Sequence, residues 1–218
     1  MNRLALFDCD GTLVDSQANI CRAVEDTFTA HRLDIPSRDA IRRIVGLSLV
    51  EAMAALVPQA EAAHHHALAA DYKTAFQTMR GNGTLAEEPL FEGIVGVLDQ
   101  LEADGWLFGV ATGKSDRGLT HILAAHGLTP RFLTLQTADC HPSKPHPSMI
   151  EQAMAEAGAT PETTVMIGDT SYDMLMARNA GTRALGVGWG YHTPDDLHAA
   201  GAHAVALRVP ELVGMMTA

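Results

Sequence analysis

The apolar run Leu4–Phe7 stops at two carboxylates, Asp8 and Asp10, and about a hundred residues pass before the next comparable run, Leu107–Ala111. After that point short apolar runs return quickly, at Val165–Ile167, Ala184–Val187 and Ala204–Leu207, with a weaker one at Phe132–Leu135. Runs this short, bounded by polar or glycine residues, read as buried strands. The segments between them have helical periodicity instead: Ile94, Val97, Leu98 and Leu101; Leu119, Ile122 and Leu123; Met149, Ile150, Ala153 and Met154. Strands that alternate with helices predict an α/β fold with a parallel sheet covered on both faces.

The long gap after the first run carries a different pattern. Ile20, Val24 and Phe28 recur at i, i+4, i+8, Ile41 and Ile44 are three apart, and helical sequence near Ala60–Met79 ends before Gly81-Asn82-Gly83. This predicts an all-helical insertion over residues 16–81, with residues 1–15 and 82–218 forming a discontinuous α/β core. Hinges are expected at Val14–Ser16 and Asn82–Pro89. Charge divides the same way: residues 15–85 hold 7 bases and 8 acids, whereas the remainder holds 8 bases and 18 acids.

Asp8 and Asp10 fall just beyond a strand end, where open parallel sheets place their ligands. If the chain stays extended to Asp10, the period of two turns both acids to one side and Cys9 to the other, where a thiol packs as a small hydrophobe. Two carboxylates so close repel when both are ionised, and a divalent cation or a proton on one of them relieves the cost. Gly11 and Thr12 follow as a turn able to offer N–H groups to an anion. Other strand ends add matching chemistry: Thr112-Gly113-Lys114-Ser115, then Gly168-Asp169-Thr170 through Asp173, with Lys144-Pro145 between them. Hard oxygen ligands without a histidine or cysteine cluster favour magnesium over zinc, and hydroxyl, amide and lysine donors suit a phosphoryl group.

Taken in this order, these four motifs resemble those of the haloacid dehalogenase-like hydrolases, and within them the phosphoglycolate-phosphatase-like group with a small helical cap. The resemblance covers nearly the whole chain and implies a Rossmann-like core. It implies that Asp8 is the nucleophile, forming an aspartyl-phosphate, and that Asp10 is the general acid and base. Mg2+ would be held by Asp8, the main-chain carbonyl of Asp10 and Asp169, with Asp173 as ligand or support. Thr112, Gly113 and Lys144 would hold the phosphoryl oxygens, beside the Gly11 turn. The second aspartate separates this motif from that of true haloacid dehalogenases, which lack it. Only 32 positions separate Thr112 from Lys144, leaving no room for a second large insertion, so the cap is expected to close on a small molecule.

Arg42 and Arg43 lie where related caps place a loop over the site, and either is a candidate for a second anionic group on the substrate. Lys73 and Arg80 are weaker candidates. Lys114 is expected either to support Thr112 or to face solvent. The tract His64-His65-His66 reads as a solvated helix face, and His146 and His192 as loop-packing residues.

The chain carries 15 Lys and Arg against 26 Asp and Glu, a net charge of -11, which argues against a nucleic acid partner. Three cysteines without paired or metal-ligand spacing, and no apolar stretch long enough to span a bilayer, fit a cytoplasmic protein without membrane association. The expected activity is hydrolysis of a small phosphomonoester, 2-phosphoglycolate first among them, by a monomer or homodimer. The alternatives are a β-phosphoglucomutase-like sugar-phosphate mutase and an inactive binding or scaffold protein.

Overall fold

A computed structural model describes residues 1–216. Six parallel strands, β1 (Arg3–Phe7), β2 (Trp106–Thr112), β3 (Phe132–Thr137), β4 (Thr164–Gly168), β5 (Arg183–Val187) and β6 (Ala204–Ala206), form one sheet in the order β3-β2-β1-β4-β5-β6. This is the Rossmann order, with β1 at the centre and the direction of strand addition reversing between β1 and β4. The reversal opens a crevice at the carboxyl ends of β1 and β4, and Asp8 stands in it.

Helices α1 (Gln17–Ala30), α2 (Arg38–Arg42), α3 (Leu49–Leu56) and α4 (Ala62–Gly81) precede the rest; α5 (Ile94–Ala103), α6 (Asp116–Ala125), α7 (Ser148–Ala157), α8 (Ser171–Asn179), α9 (Pro194–Ala199) and α10 (Glu211–Met216) accompany the sheet. Among the described residues no helix is long and apolar enough to cross a membrane. Helices α1 to α4 build their own apolar cluster, in which Ile20, Val24 and Phe28 of α1 meet Ile41, Met53 and Leu68. The two chain segments that connect this helical insertion to the sheet are pinned together. Asp15 N donates to Pro89 O at 2.9 Å, Phe91 N donates to Leu13 O at 3.0 Å, and Val14 bridges Leu90.

The sheet separates two further clusters because strand side chains alternate. Ala5 and Phe7 face α5, α6 and α10, while Leu4 and Leu6 face α7 and α8. Phe7 meets Phe108 and Phe132 edge-on, with centroids 6.1 and 6.4 Å away. The predicted strands lengthen by one or two residues in most cases. Helices α3, α8, α9 and α10 lie beyond the periodic stretches that the sequence displays, each being too short to build a long pattern.

The histidine tract departs from expectation. His65 is buried and its Nε2 lies 2.9 Å from Val57 O, because α4 packs this face on the α3–α4 connection; His64 stacks on His31. Replacing Phe7 with alanine is expected to lower stability by about 3–5 kcal/mol in urea denaturation, since it empties the centre of an aromatic cluster. Leu133→Ala, on a residue 55% exposed on edge strand β3, is expected to stay within about 0.5 kcal/mol.

Candidate active site

Parallel pairing continues one residue past β1, as Asp8 N donates to Ile167 O at 2.9 Å and fixes the Asp8 side chain beside the end of β4. Asp8 is 1% exposed. Its Oδ1 accepts from Cys9 N at 2.7 Å and lies 3.0 Å from Lys144 Nζ, whereas its Oδ2 is buried and has no hydrogen-bond partner. Cys9 packs into the apolar cluster on one side of the sheet, as expected.

Two acids from the β4–α8 junction join Asp8. Asp173 sits at the third position of α8, where its Oδ2 accepts from Thr170 N at 3.0 Å and Thr170 Oγ1 at 2.7 Å in a capping box. Its other oxygen, Oδ1, receives Lys144 Nζ at 2.6 Å. Asp169 accepts from Thr12 Oγ1 at 2.8 Å and from Tyr191 N at 2.9 Å. One oxygen from each of Asp8, Asp169 and Asp173 lies within 4.8 Å of the others.

Two of these three buried carboxylates, Asp8 and Asp173, share the Lys144 ammonium, and the crowding of the acids shifts their acidities. Burial first, then Asp173 and Asp10, push the Asp8 carboxyl up to about 7 from 3.8 against the pull of Lys144. Burial and the charges of Asp8 and Asp173 push Asp169 up as well. Burial alone would lower the Lys144 pKa, but Asp173 and Asp8 together outweigh it and raise it. A divalent cation fits this donor set: the ligands are hard oxygens, an unpartnered buried oxygen is among them, and negative charge is in excess.

Asp10 keeps to a separate network. Its Oδ1 lies 2.9 Å from Lys114 Nζ and accepts from Ser16 Oγ, and its side chain is not among the clustered carboxylate ligands. A metal role for Asp10 therefore rests on its main-chain carbonyl. Thr112 ends β2, is 1% exposed, and accepts from Lys114 N through its Oγ1 at 3.2 Å. Gly11 has φ +83°, and a Cβ there would overlap the Asp169 carboxylate and Tyr191; a Cβ on Gly113 would overlap the carbonyls of Gly46 and Leu47. Both glycines allow close approach of main chain, the first to the acids and the second to the helical insertion.

Asp8, Asp10, Thr112 and Gly113 line one cavity of about 650 Å³, walled on the other side by residues of α1, α3 and α4. Lys144 abuts it through Asp8. The expectation for Arg42 and Arg43 needs correction, because neither lines this cavity. Arg42 turns outward to Asp39 at 3.2 Å, as its place at the end of the short helix α2 dictates, and the carbonyl of Arg43 accepts from Tyr172 Oη at 3.0 Å. Lys73, Arg80 and Arg117 line the cavity instead. His192 is buried beside Tyr172 and accepts from Ser171 N at 3.1 Å, a packing role as expected, and His146 accepts from Ser148 N at 3.2 Å. Sequence reasoning missed Ser16 and Tyr191, read Thr12 only through its main chain and not through its hydroxyl bond to Asp169, and left Lys114 undecided. Ser16 and Thr12 stand close to the first motif and are polar, a usable signal; Tyr191 reaches the site only through the fold.

Comparison with known proteins agrees with this geometry. The family model described as haloacid dehalogenase-like hydrolase matches residues 5–187. Probable phosphatase IndB of Dickeya dadantii is 36% identical over 98% of this chain and 93% of its own. A phosphoglycolate phosphatase of Xanthomonas campestris is 29% identical over 89% of this chain and 86% of its own. A solved haloacid dehalogenase-like family hydrolase of Streptococcus pneumoniae has the same fold, with a TM-score of 0.84 at 24% identity over 98% of each chain. The chain belongs to the haloacid dehalogenase-like hydrolases.

The raised acidity of Asp8 has a stability consequence with a definite sign. A carboxyl pushed up from 3.8 to about 7 binds more protons folded than unfolded, so its contribution is fully present below 3.8 and is lost as pH rises through about 7. Thermal melts of the metal-free protein between about pH 5 and about pH 8 are expected to show this loss, and Asp8→Asn to reduce it. Magnesium at about pH 8 should raise the melting temperature of the wild type more than that of Asp8→Asn.

Proposed function

We propose that the protein is a magnesium-dependent phosphatase that hydrolyses a small phosphomonoester through an aspartyl-phosphate on Asp8. The observation that carries this reading is the placement of the two acids of the first motif. Asp8 keeps a free oxygen in the carboxylate cluster, while Asp10, two residues on, is held apart by Lys114 and Ser16 at the wall of the same cavity.

An oxygen of Asp8 attacks phosphorus as the bond to the leaving oxygen breaks, and Asp10 delivers a proton to that oxygen. With Oδ1 of Asp10 committed to Lys114 and Ser16, Oδ2 is the oxygen that carries the proton. In the second step the Asp10 carboxylate takes a proton from water as the water oxygen attacks the aspartyl-phosphate, and Asp8 is released with inorganic phosphate. Lys144, fixed between Asp8 and Asp173, and Thr112 with the Gly113 amide are assigned to the phosphoryl oxygens, whose charge must be met during transfer. Magnesium held by Asp8, Asp169 and Asp173, with the Asp10 carbonyl, would offset repulsion between the anionic nucleophile and the anionic ester.

The names of the relatives make 2-phosphoglycolate the first ester to test. Phosphate release is to be measured with and without magnesium over phosphoglycolate, sugar phosphates and pyrophosphate. Asp8→Asn is expected to abolish turnover with the fold retained, and Asp10→Asn to lower kcat by about 10²–10⁴-fold. Normal turnover by Asp8→Asn would refute the assignment of the nucleophile, and isomer interconversion without phosphate release would indicate a mutase.

A further inference from the structure

We infer that the alcohol released at this site is larger than glycolate and carries a largely apolar, ring-containing body that seats against Tyr72 and Phe76. The inference rests on the phosphatase reading and concerns the part of the substrate beyond the phosphate. Size is the first argument. At about 30 Å³ per water, a cavity of about 650 Å³ holds roughly 20 waters, and a phosphorylated two-carbon acid leaves most of it unfilled. Pockets of this volume ordinarily enclose ligands several times larger than glycolate.

The chemistry of the wall is the second argument. Above the polar floor of Asp8, Asp10 and Thr112, the lining includes Ile20, Met53, Ala69, Tyr72, Phe76 and Ile122. Tyr72 and Phe76 are one turn apart on α4, with ring centroids 5.3 Å apart at 48°. Both rings are only partly buried, although Leu68, one turn earlier on the same helix, is fully buried. They therefore present apolar area to the cavity, and an apolar body placed there gains by removing it from water.

The test compares kcat/KM for 2-phenylethyl phosphate, ethyl phosphate and 2-phosphoglycolate under saturating magnesium. The first two release alcohols of similar basicity, so their ratio reports on the body of the leaving group. The expected result is a preference of about tenfold or more for 2-phenylethyl phosphate over both others, the value of burying a ring against these walls. Phe76→Ala is expected to reduce that preference at least about fivefold, mainly through KM, and Phe76→Tyr to retain it. Equal or greater kcat/KM for ethyl phosphate or 2-phosphoglycolate would overturn the inference while leaving the phosphatase reading intact. Absence of turnover with all three esters alongside hydrolysis of a sugar phosphate would overturn the inference alone, and absence of turnover with every phosphate compound would overturn both.

Discussion

Three clustered, buried carboxylates, two of them paired with a single lysine, set the terms for the rest of this molecule. Taking ions out of water is costly, and here negative charge outnumbers positive among Asp8, Asp169, Asp173 and Lys144. Each acid is consequently fixed by something rigid: Asp8 by the extension of β1 pairing to Ile167, Asp173 by its place in the first turn of α8, and Asp169 by Thr12 and the main chain of Tyr191. The sheet order makes these attachments possible, since β1 and β4 are neighbours and their carboxyl ends open on the same side. An arrangement that keeps excess charge buried and rigid is suited to a divalent cation.

The helical insertion supplies the opposite wall. Its loop around Gly46 and Leu47 lies so close to Gly113 that a side chain there would collide with it. Ser48 N donates to Ser143 Oγ at 2.9 Å, one residue before Lys144, and Tyr172 Oη donates to Arg43 O at 3.0 Å. These polar contacts, with the paired connections at Asp15 and Pro89, help to hold the insertion over the strand ends. On this side the cavity is lined by side chains of α1, α3 and α4. The apolar rings of α4 and the carboxylates of the sheet thus face one another across a single cavity.

Much of this was legible in the sequence, and the reason differs from place to place. Strand runs such as Leu4–Phe7 and Val165–Ile167 are visible because central parallel strands are buried on both faces and stay apolar throughout. The insertion is visible because Ile20, Val24 and Phe28 repeat at helical spacing over more than two turns. The acids and Lys144 could be read because each follows a strand or opens a helix. What the sequence hides depends on packing. Arg42 and Arg43 look equivalent to cavity residues until the short helix α2 turns Arg42 toward Asp39. Lys114 gives no hint that it meets Asp10, nor His65 that it is buried, since both depend on elements distant in the chain. Tyr191 enters through a loop after β5 with no local signal at all.

A cation site formed by the Asp8, Asp169 and Asp173 carboxylates would be built into the fold itself. Calorimetric titration of magnesium into the metal-free wild type and into Asp169→Asn tests it without recourse to any substrate. One magnesium site is expected in the wild type, and its affinity in the variant should fall by at least the ~10–100-fold that loss of an outer-shell partner costs. Equal magnesium affinity in a folded Asp169→Asn protein, or no binding to the wild type, would contradict the account.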